Sequence, residues 1–139
     1  MFFSRKKNPE IRVKIDKSEE KVLEEIFGIN HDYYDNEVLQ KTASAGKRVY
    51  RLSYRILNVK IKNENGSFAV IAEGTRLCVK PDRTGSARLT ELLKNGSDSF
   101  RLQVLGGDYK IFLCDHDYND QLYPVYDRKE KYEGILIPE

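Results

Sequence analysis

The fold of this chain is decided by residues 47–80, KRVYRLSYRILNVKIKNENGSFAVIAEGTRLCVK. Apolar side chains occupy even positions first and odd positions afterwards, namely Tyr50, Leu52, Tyr54 and Ile56, then Leu57, Val59 and Ile61. Alternation with a period of two is typical of a strand with one buried face. The shift by one residue predicts a β-bulge or a sharp bend near residues 56–57, because a flat strand would expose half of these side chains.

A turn follows this strand at Asn65-Gly66. Both residue types tolerate a positive φ, which a type I′ hairpin turn requires. With the turn centred there, Ile61 faces Val70, so the apolar positions of both strands fall on one side. The stretch is therefore predicted to form a β-hairpin whose first strand is bent.

Three helices are predicted outside the hairpin from the helical spacing of apolar residues. The first spans residues 17–27, with Asp16 as its N-cap in a capping box. The second runs from residue 35 or 36 to residue 41. The third begins at Ser86 and ends at residues 95–96, where Asn-Gly stops it.

A second hairpin is predicted at Gly106-Gly107, between strands at residues 100–104 and 109–113. Short strands are also predicted at residues 11–15, 77–80, 122–126 and 135–137, with a charged turn at residues 127–131. The C-terminal third is therefore expected to contain several short strands joined by turns.

The predicted fold class is α+β, with the order β-β-β-α-β-β from residue 47 onward. This order matches a small OB-like β-barrel, and an open, curved antiparallel sheet with N-terminal helices is the alternative. At 139 residues the chain is expected to form one domain. In it, residues 1–46 supply an arm, a short strand and helices that pack on a β-rich core of residues 47–139 with one inserted helix.

Composition excludes several classes of protein. No apolar run approaches the roughly 18–20 residues that cross a bilayer, and the N-terminus lacks the apolar segment of a signal peptide. We therefore expect a cytoplasmic protein without a membrane partner. The formal net charge of +2 is too small to indicate nucleic-acid binding by itself. Cys78 and Cys114 form no CxxC motif and are expected to be reduced core thiols.

Cations along the first strand form a candidate site for single-stranded nucleic acid. They are Lys47, Arg51, Arg55, Lys60 and Lys62. Such sites combine cations that contact phosphates with aromatic rings that stack on bases. Tyr50 and Tyr54 have the opposite parity from the two arginines, so we expect these rings to enter the core. The competing interpretation is a solvated strand face whose cations discourage edge pairing.

Tyrosines near the C-terminus form a candidate protein interface. They are Tyr118, Tyr123, Tyr126 and Tyr132. Exposed tyrosines are effective anchors at protein interfaces, and strands at residues 122–126 and 134–137 could offer an edge for pairing. The leading hypothesis is a small non-enzymatic binding domain that acts through protein–protein contacts or self-association. The alternative is the nucleic-acid-binding module.

Catalytic and metal chemistry lack a supporting motif. The loop at residues 115–120 carries aspartates at its first and third positions, but it lacks the glycine and glutamate that complete a calcium-binding loop. Cys114 and His116 would lie on the same face if the strand continues, but no catalytic sequence motif accompanies them. We therefore predict no catalytic residues, no metal site and no cofactor.

Overall fold

A computed structural model describes residues 10–42, 46–112 and 125–139. The strands are β1 (Ile11–Lys14), β2 (Arg48–Tyr50), β3 (Ile56–Glu64), β4 (Ser67–Ala72), β5 (Thr75–Pro81), β6 (Ser99–Phe112) and β7 (Val125–Pro138). The helices are α1 (Glu20–Phe27), which follows a 3-10 turn at Lys17–Glu19, α2 (His31–Tyr34), α3 (Asn36–Thr42) and α4 (Arg83–Lys94).

Six antiparallel strands close into a barrel in the order β6-β3-β4-β5-β1-β7, and β7 pairs again with β6. Strand β2 pairs with the far half of β6 and extends the sheet beyond the barrel. The segment from β3 to β7, with α4 before β6, has the predicted β-β-β-α-β-β order. The α+β class and the OB-like barrel are therefore confirmed.

The N-terminal strand β1 is part of the barrel wall. It pairs with β5 on one side, where Val13 is opposite Pro81, and with β7 on the other, where Ile11 is opposite Leu136. Both pairings are antiparallel, so β1 separates two strands that run in the same direction. Its inward residues Ile11 and Val13 are each 2 % exposed, which ties the start of the described chain to the core.

The hairpin at Asn65-Gly66 is confirmed. Ile61 is opposite Val70 and Asn63 is opposite Phe68, as the turn position predicts. Asn65 and Gly66 have φ values of 57° and 89°, in the left-handed region that a type I′ turn needs.

The expected single bent strand is instead two strands, β2 and β3, which both pair with β6. Arg48 is opposite Ile111, and Ile56 is opposite Gln103. The chain between them leaves the regular ladder because the segment after α1 binds it: Ser53 Oγ donates to the carbonyl of Phe27 at 2.7 Å. The backbone N–H of Asn30 likewise donates to the carbonyl of Arg51 at 2.7 Å. In place of the predicted bulge, the chain is interrupted at residues 51–55, just before the shift in the apolar pattern.

The predicted hairpin at Gly106-Gly107 is wrong, because β6 continues through both glycines. The β6–β7 register shifts between Leu105 and Gly107, so the glycines lie at an irregularity within a long strand pair. Their φ values are 85° and 87°. A Cβ atom at Gly106 would overlap the carbonyl of Lys131, and one at Gly107 would overlap the ring of Tyr132. Close approach of β7 explains the glycines.

Several other local predictions are corrected by the structure. Asp16 does not cap α1; its carboxylate pairs with Lys80 at 2.8 Å. Asp82, rather than Ser86, caps α4 by accepting from the N–H of Gly85 at 2.7 Å. The predicted charged turn at residues 127–131 is part of β7. Cys78 is an exposed free thiol rather than a core residue, whereas Cys114 and residues 115–120 lie outside the described chain.

The core fills the barrel and the space beneath its helices. Its largest fully buried side chains include Phe27 and Leu23 of α1 and Phe100 of β6. Burial of such side chains contributes most of the free energy that favours folding. Within the described residues, the structure contains no helix with the length and hydrophobicity of a membrane span.

Candidate functional site

Arg51 binds two acids and a tyrosine of its own chain. Its Nη1 lies 3.0 Å from Oε2 of Glu24 and 3.4 Å from Oδ2 of Asp108, and its Nε donates to Oη of Tyr34 at 2.7 Å. Burial acts to lower the pKa of Arg51, but these hydrogen bonds and charges outweigh it and raise that pKa. Arg51 therefore fastens α1 and α2 to β6, and its charge is already compensated.

Replacing Arg51 with glutamine is expected to lower the free energy of unfolding by about 2 kcal/mol, because it removes charge-assisted hydrogen bonds from a partly buried cluster. The matched control is Arg12→Gln. Arg12 pairs with Glu133 at 3.0 Å, but both side chains are more than half exposed. Arg12→Gln should lower the free energy of unfolding by less than about 0.5 kcal/mol. Urea unfolding of both variants measures the difference, and equal losses would contradict the structural role of Arg51.

Arg55 lies against the ring of Tyr50, in the connection between β2 and β3. Its guanidinium carbon is 4.0 Å from the ring centroid of Tyr50, and its Nη2 donates to the carbonyl of Gly106 at 3.0 Å. The Tyr50 and Tyr109 rings lie 5.4 Å apart, and Arg48 covers the Tyr109 ring at 4.8 Å. Two guanidinium groups thus cover the two rings, and each contact is a cation–π interaction.

A cleft opens beside this stack, between β2 and the segment that carries α2 and α3. Its volume is about 300 Å³. The described lining includes Lys47, Arg48, Tyr50, Ser53 and Arg55. Burial lowers the pKa of Arg55, although an arginine stays protonated at neutral pH. Its Nη1 is closed off from solvent and has no hydrogen-bond partner among the described residues.

An apolar patch lies on the other side of the same segment. We define the outer patch as Tyr54, Ile56 and Leu105. Tyr54 is 70 % exposed and Ile56 is 52 % exposed. Gln103 is opposite Ile56 across the β3–β6 pair, and Leu105, half-buried, follows two residues later on the same side of β6. The expectation that Tyr54 enters the core is wrong, because the chain has left the ladder at that point.

The predicted cationic set is not brought together as one surface. Lys60 pairs with Asp98 at 3.4 Å and donates to Oγ of Ser99 at 2.9 Å. Lys47 and Lys62 are exposed, and among the described residues neither forms an ion pair. The charge of Arg51 is compensated by acids. Of the five predicted cations, Arg55 and Lys47 are the two that line the same cleft.

The predicted tyrosine set is only partly described. Tyr132 is 7 % exposed and belongs to the hydrophobic core, where burial and then the charges of Asp108 and Glu24 raise its pKa to about 12. Its ring is therefore not an exposed anchor. Tyr118 and Tyr123 lie outside the described residues, and for Tyr126 only the backbone position in β7 is described.

The alternation of apolar residues along the strand did not predict the outer patch. Tyr54 and Ile56 share the parity of Leu52, which is 2 % exposed, so an uninterrupted strand would bury all three. The available signal was the shift in alternation after Ile56, since side chains at a change of phase need not follow either buried face.

No protein-family model matches the sequence, and searches of curated proteins and of solved structures also find no match.

Proposed function

We propose that this protein is a non-enzymatic binding domain that docks a partner protein on the outer patch. The observation that carries the proposal is the exposure of Tyr54 and Ile56, two large side chains that are two positions apart in the chain. Of the large apolar side chains that are exposed in the described chain, the third is Tyr34. Adjacent exposed apolar side chains that are not needed for the core are typical of interaction sites.

The residues beside the patch also suit a protein interface. Tyrosine and arginine are enriched among the residues that contribute most to binding, and Tyr54 is followed directly by Arg55. The stack beneath Arg55 holds this arginine in place, so little conformational entropy is lost when a partner binds.

The charges support this function over nucleic-acid binding. A single-stranded nucleic acid needs free cations at repeated spacing and open aromatic faces. Arg51 and Lys60 already contact acids, and the rings of Tyr50 and Tyr109 are each covered by an arginine. The nucleic-acid module remains the alternative that the experiment below tests.

The test is affinity capture with the full chain as bait, from lysate with and without nuclease treatment, quantified by mass spectrometry. The wild type is compared with the double variant Tyr54→Ser/Ile56→Ser and with the control Lys62→Ser. Lys62 is exposed on the same strand, about 20 Å from Ile56 at the rise of an extended chain. We expect a partner that the wild type and the control recover equally and that the double variant recovers about tenfold less.

Two results would overturn the proposal. One is an identical set of captured proteins for the wild type and the double variant. The other is loss of all patch-dependent capture after nuclease treatment, which would transfer the function to nucleic-acid binding. A second copy of this chain counts as a partner if its capture depends on the outer patch.

A further inference from the structure

The lining of the cleft includes two cationic residues, Lys47 and Arg55, that each have a donor without a described partner. Other donors in its wall are already used: Asn30 donates to the carbonyl of Tyr50 at 3.1 Å, and Ser53 donates to the carbonyl of Phe27. Arg48 pairs with Glu130 at 3.3 Å. The cationic donors left are Nη1 of Arg55 and the ammonium group of Lys47.

The unpaired Nη1 of Arg55 is the unusual member of this pair. Buried guanidinium N–H groups normally have acceptors, because an unpaired buried donor is costly. Nη2 of the same group is satisfied by Gly106, and the ring of Tyr50 fixes the plane of the guanidinium. Because Nη1 is closed off from solvent, an acceptor that enters the cleft reaches it only after Arg55 moves, and the new hydrogen bond favours that movement.

The charge and size of the cleft indicate what kind of acceptor fits. Its lining carries Lys47, Arg48 and Arg55; Arg48 is paired with Glu130, and the single described acid of the lining is Asp32, so the remaining charge still favours an anion. A carboxylate oxygen can accept a charge-assisted hydrogen bond from either of the donors left, on Lys47 or Arg55. A phosphodiester chain would need cations at repeated intervals, and the neighbouring Arg51 is occupied by Glu24 and Asp108.

The edge of strand β2 indicates how an extended ligand would lie in the cleft. In the described sheet β2 is a terminal strand, and β6 is its paired strand. Tyr50 and the residues before it line the cleft along the outer side of β2. Because Asn30 already uses the carbonyl of Tyr50, an extended segment would lie along the edge at residues 47–49 while one side chain enters the cleft.

We propose that this cleft binds a carboxylate of an extended acidic segment in the partner protein, with Arg55 and Lys47 as the recognition residues. The proposal rests on the protein-binding function proposed above and names the chemistry of the partner. Docking then uses both sides of residues 53–56: the outer patch takes apolar side chains, and the cleft takes an acid.

The test uses acetylated tetraglutamate as the probe and acetylated tetraglutamine as its uncharged match. Binding to the full chain is followed by NMR, through backbone amides and the Nε–H signal of Arg55. We expect tetraglutamate to bind at least tenfold more tightly than tetraglutamine and to shift the signals of Lys47, Val49 and Arg55. Arg55→Gln should lower the affinity for tetraglutamate about tenfold, and Lys47→Gln should lower it about threefold. The control Lys62→Gln should leave this affinity unchanged.

The Lys47→Gln variant keeps the proposal testable if Arg55→Gln fails to fold, because Lys47 is exposed and makes no described ion pair. Equal affinity for the two peptides, or shifts confined to residues outside the cleft, would overturn the proposal. So would tighter binding of an eight-residue oligothymidylate at the same residues. Loss of patch-dependent protein capture without loss of tetraglutamate binding would remove the proposed function alone, so the two failures are distinguishable.

Discussion

Replacing Gly106 with alanine is expected to destabilise the barrel by about 3 kcal/mol or more, because a φ strain of roughly 1–2 kcal/mol adds to a steric overlap of similar size. Gly106 has a φ of 85°, and its Cβ would meet the backbone carbonyl of Lys131. That carbonyl belongs to β7, which pairs with β6 on both sides of the irregularity. It cannot move away without disturbing the pairing of the two longest strands.

Gly74→Ala is the matched control for Gly106→Ala. Gly74 has a φ of 83°, but no atom lies within 4 Å of its would-be Cβ. Its replacement therefore tests the φ strain alone and should cost about 1–2 kcal/mol. Urea unfolding followed by circular dichroism measures both variants, since the chain has no tryptophan. Equal losses at the two sites would mean that β6 and β7 do not approach as closely at Gly106 as the structure shows.

Phe100→Ala is the second change with a large expected effect, a loss of about 3–5 kcal/mol from the free energy of unfolding. Phe100 is fully buried, and β6 places it between Val59 of β3 and Pro138 of β7. The cavity would therefore open beside the β6–β7 pairing that closes the barrel. Ile56→Ala is the control, because Ile56 is 52 % exposed and should cost less than about 1 kcal/mol.

The comparison of Phe100 with Ile56 also separates stability from binding. If Ile56→Ala destabilised the protein as much as Phe100→Ala, Ile56 would belong to the core, and the outer patch would not be a free surface. The expected result is that Ile56→Ala leaves the unfolding midpoint nearly unchanged, so that any lost partner capture reflects a lost contact.

Local sequence patterns predicted the features whose physical cause is local. The turn at Asn65-Gly66 was predictable because two adjacent residues supply its backbone conformation, and the α+β barrel followed from the order of such elements. The Gly106-Gly107 pair was misassigned because the same dipeptide suits a turn and a close strand crossing. The ring of Tyr132, 25 positions away, decides between them.

The candidate site was less predictable because its geometry depends on distant partners. Parity placed Arg51 and Arg55 on one strand face, but Glu24 and Asp108 hold Arg51, and the carbonyl of Gly106 holds Arg55. The segment at residues 27–30 pulls the connection out of the ladder and leaves Tyr54 exposed. None of these contacts is encoded in the pattern of residues 47–62 alone.

The most direct test of docking at the outer patch is photocrosslinking in cells. Tyr54 is replaced with the photoreactive amino acid p-benzoylphenylalanine, and Lys62 receives the same replacement as the control. We expect a discrete protein adduct on irradiation of the chain modified at position 54, and no such adduct from position 62. Absence of an adduct at position 54, or the same adducts from both positions, would contradict docking at the outer patch.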